Sequence, residues 1–210
     1  LALVGLHLRN KDNAKALSAV QEAMARFPDR PEILDLAGRV LQLTGDTNQA
    51  LAIYGKLAAL LPSTPQPYLR MAEIQIAAKN KDGARSSLNK GLALQPDSLP
   101  MHRAMIMLDI DAGRFPDALA RVRSIQKSHP KEAVGHLLEG DIRVAEKAWG
   151  QAAAAYRAGL KAAESTDLAE RLYAVLMADG KVGEAAQHAD SWLKAHPKDA
   201  GFRLFLADSA

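Results

Sequence analysis

The sequence contains no cysteine and few aromatic residues. With no cysteine among 210 residues, the chain can form neither disulfides nor thiolate metal sites, and it has no cysteine nucleophile. Aromatic residues make up 5% of the chain, which leaves few rings on which nucleic-acid bases could stack. No apolar run reaches the length of about 18 residues that a membrane-spanning helix needs. Any membrane attachment is therefore expected only through an anchor outside this sequence.

The chain also lacks a clustered charge of one sign. Its 27 Lys and Arg residues against 24 Asp and Glu give a net charge of +3, and both signs are interspersed along the sequence. Nucleic-acid-binding proteins usually carry a basic stripe, so we expect no nucleic-acid partner.

Motifs for catalysis and metal binding are absent as well. The sequence has no Gly-x-Ser-x-Gly, no phosphate-binding loop and no Gly-x-Gly-x-x-Gly. Its carboxylates are expected on helix surfaces, with no paired arrangement. His102 and His136 share a position in adjacent repeats, but no histidines have the helical spacing of zinc ligands. We therefore expect no enzyme activity, no catalytic residues, no metal and no cofactor.

What the sequence does contain is a repeat. Six alanines are separated by 34, 34, 34, 34 and 33 residues, and a proline follows five of them at a distance of twelve. Such a period predicts tandem helical hairpins. The alanine lies early in each second helix, where the two helices of a hairpin come too close for a larger side chain. The alanines are Ala16, Ala50, Ala84, Ala118, Ala152 and Ala185, and the prolines are Pro28, Pro62, Pro96, Pro130 and Pro197.

The period divides the chain into a single array without an internal domain boundary. Both ends resemble cuts in a longer array, so we expect a fragment of a longer protein that can self-associate through its truncated ends. The repeats are predicted at 1–30 (partial), 31–64, 65–98, 99–132, 133–165 and 166–199, with a lone first helix at 200–210. Within them, helices are predicted at 12–27, 32–44, 47–61, 65–79, 81–95, 99–112, 115–128, 133–146, 149–163, 167–179, 182–195 and 200–208.

These residues resemble the tetratricopeptide-repeat (TPR) family over the whole chain. The resemblance implies an all-α, right-handed superhelical α-solenoid of antiparallel helix hairpins with about six repeats, used as a protein-interaction scaffold. It rests on the 34-residue period, the Gly45-Asp46 turn, Ala50-Leu51 followed by Tyr54 and Pro62, and Gly140 with Ala152, Tyr156 and Leu160.

First helices line the concave groove of such an array, and their recurring positions form columns. One column alternates leucine with charge and a second is nearly all apolar, which suits a protein or peptide segment held by apolar anchors. Three arginines of this set could grip a carboxylate, but nearby acidic residues favour ion pairs between neighbouring first helices. The predicted groove residues are Asp35, Arg39, Leu69, Arg70, Glu73, Ile76, Arg103, Met107, Ile110, Leu137, Asp141 and Val144.

A narrower resemblance concerns three segments, 138–141, 152–160 and 192–199, the last of which leads into 203–204 and 206–208. They are similar to the TPR-repeat lipoproteins of the PEP-CTERM/exosortase system, of the PrsT type. That resemblance implies a lipoprotein on the periplasmic face of the outer membrane, acting in exopolysaccharide biosynthesis or export or in PEP-CTERM surface-protein assembly. A cytoplasmic adaptor or cochaperone that binds peptide segments is the alternative. A reader of single-stranded RNA would need a positive groove, and the alternating charges disfavour it.

Overall fold

The computed structural model describes residues 2–209, which form thirteen α-helices and no β-strand. Leu1 and Ala210, which the predicted repeat ranges include, lie outside the described residues. The all-α fold of tandem hairpins is confirmed. The helices are α1 (Ala2–Arg9), α2 (Asn13–Arg26), α3 (Pro31–Leu43), α4 (Thr47–Leu60), α5 (Gln66–Ala77), α6 (Lys81–Leu94), α7 (Leu99–Ile110), α8 (Phe115–Ser128), α9 (Val134–Ala145), α10 (Trp149–Ala162), α11 (Thr166–Ala178), α12 (Val182–Ala195) and α13 (Ala200–Asp208).

Six antiparallel hairpins and the final helix α13 follow one another, and each predicted helix agrees with its observed counterpart to within two residues at either end. The helices of a hairpin are joined by three or four residues. The proline after a second helix comes just beyond its last turn, because proline cannot continue a helix. The hairpins form two compact units, one ending at Met105 and the other beginning at Ile106, within α7. A single array over residues 1–210 stays a prediction.

The periodic alanines are among the fully buried positions of the fold. All six have no exposed surface, which confirms the predicted close approach of the two helices in each hairpin. Larger apolar residues fill the core around them. In the first unit one cluster comprises Leu34, Leu41, Ala50, Tyr54, Leu57 and Ile74, and in the second unit another is built around Ala152, Tyr156, Leu168, Leu172, Leu176 and Ala185.

Every hairpin turn places one residue in the left-handed region of backbone space, always at the same repeat position. Glycine adopts this conformation without strain, whereas a side chain with a Cβ does not. A short turn was predicted in each hairpin, but only the turn at Gly45 was named by its residues from the sequence. The six residues, with their φ angles, are Lys11 (57°), Gly45 (82°), Lys79 (58°), Gly113 (68°), Lys147 (59°) and Gly180 (73°).

The residue after this turn caps the second helix in the first unit but not in the second. The side chain of Asp46 accepts a hydrogen bond from the backbone N–H of Gln49 at 3.2 Å, and Asp12 and Asn80 cap their helices in the same way. The equivalent residues of the second unit, Arg114, Ala148 and Lys181, make no such side-chain bond. The second helices of the second unit therefore begin without a side-chain cap.

This difference predicts that Ala148→Asp stabilises the second unit. The new carboxylate should accept from the first backbone N–H groups of α10 and raise the free energy of unfolding by about 1 kcal/mol. Urea denaturation followed by circular dichroism measures the change. Asp46→Ala is the matched control and should lower stability by a similar amount. An Ala148→Asp protein no more stable than the parent would contradict this interpretation of the turn.

One charged residue departs from the expectation that carboxylates lie on helix surfaces. Asp109, on α7, has no exposed surface. Its carboxylate lies 3.0 Å from Nε of Arg121 on α8 and 3.3 Å from Nε of Arg114 in the turn. A buried carboxylate is tolerated only with such partners. The expectation was wrong here because Asp109 lies on the face of α7 that packs on α8.

We predict that removing both arginines is far more harmful than removing the whole cluster. Arg114→Met with Arg121→Met leaves the Asp109 carboxylate buried without these partners, and the free energy of unfolding should fall by about 3 kcal/mol. Adding Asp109→Leu should recover most of the loss, because no charge is then buried. Denaturant titrations of the double and triple variants compare them. Equal stabilities for the two variants would show that desolvation of the carboxylate is not the cause.

Candidate functional site

The first helices α1, α3 and α5 of the first unit, together with the end of α4, line an open cleft of about 560 Å³. Gly5 on α1 leaves one wall open, because a Cβ built there would meet no atom within 4 Å. The floor is apolar, whereas the rim carries Glu32, Asp35 and Arg39. The cleft is therefore an apolar recess with charge only at its edge. The apolar lining residues are Pro31, Leu36, Leu57, Leu61 and Pro67.

Two predicted groove residues form an ion pair at this rim. Arg39 Nε lies 3.4 Å from Asp35 Oδ2, one turn apart on α3, and both side chains are partly exposed. Such a pair adds little stability. It leaves both groups accessible to a ligand while cancelling their net charge.

Tyr54 lies beneath this rim and connects it to the core. A Cβ on Gly38 would come within 2.5 Å of the Tyr54 ring, so glycine is what lets the ring lie against α3. The Tyr54 hydroxyl donates to the backbone carbonyl of Asp35 at 3.4 Å. Burial raises the pKa of Tyr54 to about 12, and the Asp35 carboxylate adds to the shift. The hydroxyl therefore stays protonated at neutral pH and acts as a donor.

Arg70 and Glu73, also predicted groove residues, pair within α5. Arg70 Nη1 lies 2.9 Å from Glu73 Oε2, and this hydrogen bond raises the pKa of Arg70. The predicted pairing between neighbouring first helices was therefore wrong for Arg39 and Arg70, which pair within their own helices. Residues three or four apart lie side by side on a helix surface, so their side chains reach each other more easily than they reach the next first helix.

In the second unit an ion pair does join neighbouring first helices, and most of its residues were not predicted from the sequence. Asp141 on α9 accepts from the Tyr156 hydroxyl and from Arg171 Nη1 on α11, both at 2.7 Å. Arg171 Nε also donates to Asp167 at 3.0 Å. Burial and the bond to Asp141 raise the pKa of Tyr156. Of these residues only Asp141 was among the predicted groove residues. Tyr156 and Arg171 occupy the same repeat positions as Tyr54 and Arg70, a signal that aligning the repeats would have shown.

None of the twelve predicted groove residues is fully buried. Arg39, Arg103 and Met107 are exposed, and the others are half-buried. Leu137 and Val144 pack against the core of the second unit. The structure thus brings Asp35 and Arg39 to one cleft and Asp141 to Arg171. Their role in binding stays a prediction.

The histidines have local structural partners. His102 Nε2 lies 2.7 Å from the carbonyl oxygen of Pro96, and His136 Nδ1 lies 3.4 Å from the side chain of Gln126. Within residues 2–209, no three histidine, aspartate or glutamate side chains are grouped so that they could hold a metal ion. Across the same residues, none of the helices combines the length and apolar character required to cross a membrane.

Several solved structures are similar to this chain in fold. PilW, described as a widely conserved type IV pilus biogenesis factor, has 13% sequence identity and a TM-score of 0.67, over 98% of this chain and 96% of PilW. A tetratricopeptide repeat protein from Parabacteroides merdae ATCC 43184 has 15% identity and a TM-score of 0.65, over 98% and 81%. YrrB, described as a TPR protein with an unusual peptide-binding site, has 14% identity and a TM-score of 0.56, over 91% and 97%.

Matching by sequence identifies the family. No curated protein matches the chain. Two family models described as tetratricopeptide repeat do match, one over residues 41–108 and the other over residues 103–166. Together they run from residue 41 to residue 166, which is more than half of the chain. With the helical hairpins and the buried alanine of each repeat, these matches show that the chain belongs to the tetratricopeptide-repeat family.

Proposed function

We propose that this chain is a non-catalytic scaffold that binds an extended or helical segment of a partner protein on its first helices. The observation that carries the proposal is the cleft of about 560 Å³ between the first helices of the first unit. Its apolar floor can take an apolar side chain, which contributes about 25 cal/mol for each Å² removed from water. YrrB, which is similar in fold, is described as having a peptide-binding site of its own.

The rim of the cleft gives the bound segment a direction. Asp35 and Arg39 present an acceptor and a donor side by side on α3, so a segment lying across them can pair with both. Such polar contacts contribute more to orientation than to affinity. Since the pair is neutral as a whole, the cleft does not act as a carboxylate clamp. This disfavours an adaptor that recognises acidic C-terminal tails.

We further propose that this scaffold works in the periplasm, on the outer membrane, attached through a lipid anchor outside this sequence. Its role is in exopolysaccharide biosynthesis or export, or in PEP-CTERM surface-protein assembly. The support is the similarity of segments 138–141, 152–160 and 192–199 to the lipoproteins of that system. PilW, which is similar in fold, is described as a type IV pilus biogenesis factor.

Self-association through the end helices is part of the same proposal. Leu3 on α1 and Leu204 on α13 are 55% and 65% exposed. Apolar side chains exposed in this way are available to a second copy as well as to a partner.

Filling the cleft should abolish peptide binding. Displayed random peptides would be selected on the purified chain, synthesised with a fluorescent label and measured by fluorescence polarisation. Gly5→Tyr puts a ring into the cleft without a backbone clash, so we expect Kd to rise at least about tenfold. The matched control is Gly150→Tyr on α10, where an added Cβ also meets no atom within 4 Å, and it should leave Kd unchanged. Peptides that bind the Gly5→Tyr protein as well as the parent would refute the cleft as the binding surface.

The proposed location has its own test. In cells of the organism that makes the natural protein, it should fractionate with the outer membrane, resist protease while the cells are intact and become sensitive once that membrane is permeabilised. An antibody against this chain detects it in each fraction, and a cytoplasmic enzyme followed in the same fractions controls for lysis. Recovery with the cytoplasmic enzyme would instead support the adaptor alternative.

A further inference from the structure

The same set of three positions can be compared for each of the six hairpins. In two of these sets the residues differ in kind from those in the other four. Each set comprises a first-helix residue, the second-helix residue that faces it, and a residue of the next first helix. Four sets are wholly or almost wholly apolar, whereas two combine glycine, tyrosine and arginine. The sets are Val4, Val20 and Leu36; Gly38, Tyr54 and Arg70; Ala72, Leu88 and Ala104; Ile106, Val122 and Leu138; Gly140, Tyr156 and Arg171; and Tyr173, Ala189 and Phe205.

The three residue types depend on one another physically. A Cβ on Gly140 would collide with the Tyr156 ring, so the glycine is needed for the ring to lie against α9. There the Tyr156 hydroxyl donates to Asp141, which also holds Arg171. Gly140 and Tyr156 are thus positioning residues for the Arg171 guanidinium. A purely apolar packing would bury the same area without this polar chain.

In the second unit the arginine borders a cleft of about 300 Å³. Val144, Trp149 and Val175 supply apolar walls, and the exposed Ala174 keeps the entrance open. The Arg171 side chain is 41% exposed. Two of its N–H groups donate hydrogen bonds to Asp141 and Asp167, whereas a guanidinium has five N–H donors in all. The fixed guanidinium therefore has further donors to offer at the edge of an apolar recess.

The charge around Arg171 restricts what can bind there. Two carboxylates, Asp141 and Asp167, lie within 3.0 Å of one guanidinium, so the immediate surroundings are negative. An acidic ligand would be repelled by these carboxylates, whereas a neutral carbonyl can still accept from Arg171. Basic side chains on either side of that carbonyl would be attracted.

We propose that this cleft binds an uncharged or basic extended peptide segment, with one aliphatic side chain inside the cleft and a backbone carbonyl on Arg171. This inference rests on the proposed peptide-binding function, but it concerns the second unit and a surface separate from the Gly5 cleft. It also names the chemistry of the bound segment. Acidic segments are excluded.

The test uses short model peptides with blocked ends and nuclear magnetic resonance of the purified chain. SKSLSKS carries a leucine between lysines, SESLSES replaces the lysines by glutamates, and SKSSSKS removes the leucine. The indole N–H of Trp149 and the Nε–H of Arg171 report directly on the cleft. We expect SKSLSKS to shift both resonances saturably with a Kd of about 1 mM, and we expect the other two peptides to bind at least about tenfold more weakly.

A pair of exposed alanines provides matched variants. Ala174→Trp fills the cleft and should abolish the shifts caused by SKSLSKS. Ala154→Trp places the same ring on an exposed position of α10 outside this cleft and should leave them unchanged. No saturable shift with SKSLSKS, equal binding of SESLSES, or binding that survives Ala174→Trp would each overturn the proposal.

The two peptide proposals can fail separately. If the displayed peptides depend on Gly5 but SKSLSKS shifts neither Trp149 nor Arg171, only the second-unit cleft is refuted. If SKSLSKS binds as expected but Gly5→Tyr has no effect on the selected peptides, only the first-unit cleft is refuted.

Discussion

The structure depends on one steric constraint, the contact of two helices at a buried alanine in every hairpin. None of the six alanines retains exposed surface, so even one added methylene would have to push the helices apart. This contact fixes the geometry of each hairpin, and the same contact recurs in every repeat of about 34 residues. The clefts follow from it, because they form where consecutive first helices face one another beside small residues such as Gly5.

Much of the fold was predictable because it is set by local rules repeated at a fixed period. Proline beyond a second helix and Asp46 before one determine where helices end and begin, and the predicted bounds agree closely with the observed ones. Of the six left-handed turn residues, only Gly45 was named from the sequence. Lys79 and Lys147 adopt the same left-handed conformation, but lysine gives no sequence signal for it, so comparison with the equivalent glycines was needed.

The site was less predictable, because its chemistry depends on which side chains meet between repeats. Periodicity placed Asp35 and Arg39 among the groove residues, and both side chains are partly exposed. It could not show that Arg70 pairs within α5 whereas Arg171 pairs across to α9. Asp109 shows the same limit: its position on the packed face of α7 requires knowing where α8 lies. Sequence periodicity therefore predicts which positions are accessible. Which groups pair with each charged side chain can be read only from the three-dimensional structure.

The uneven distribution of helix caps affects how the molecule opens. The three second helices of the first unit have side-chain N-caps, from Asp12, Asp46 and Asn80. The three second helices of the second unit have none. Because the first backbone N–H groups of an uncapped helix lack a side-chain acceptor, we expect them to exchange with solvent more readily than the capped ones. α10, which begins in this way at Trp149, forms one wall of the Arg171 cleft. The Arg171 cleft is therefore bordered by a helix start at which we expect local opening.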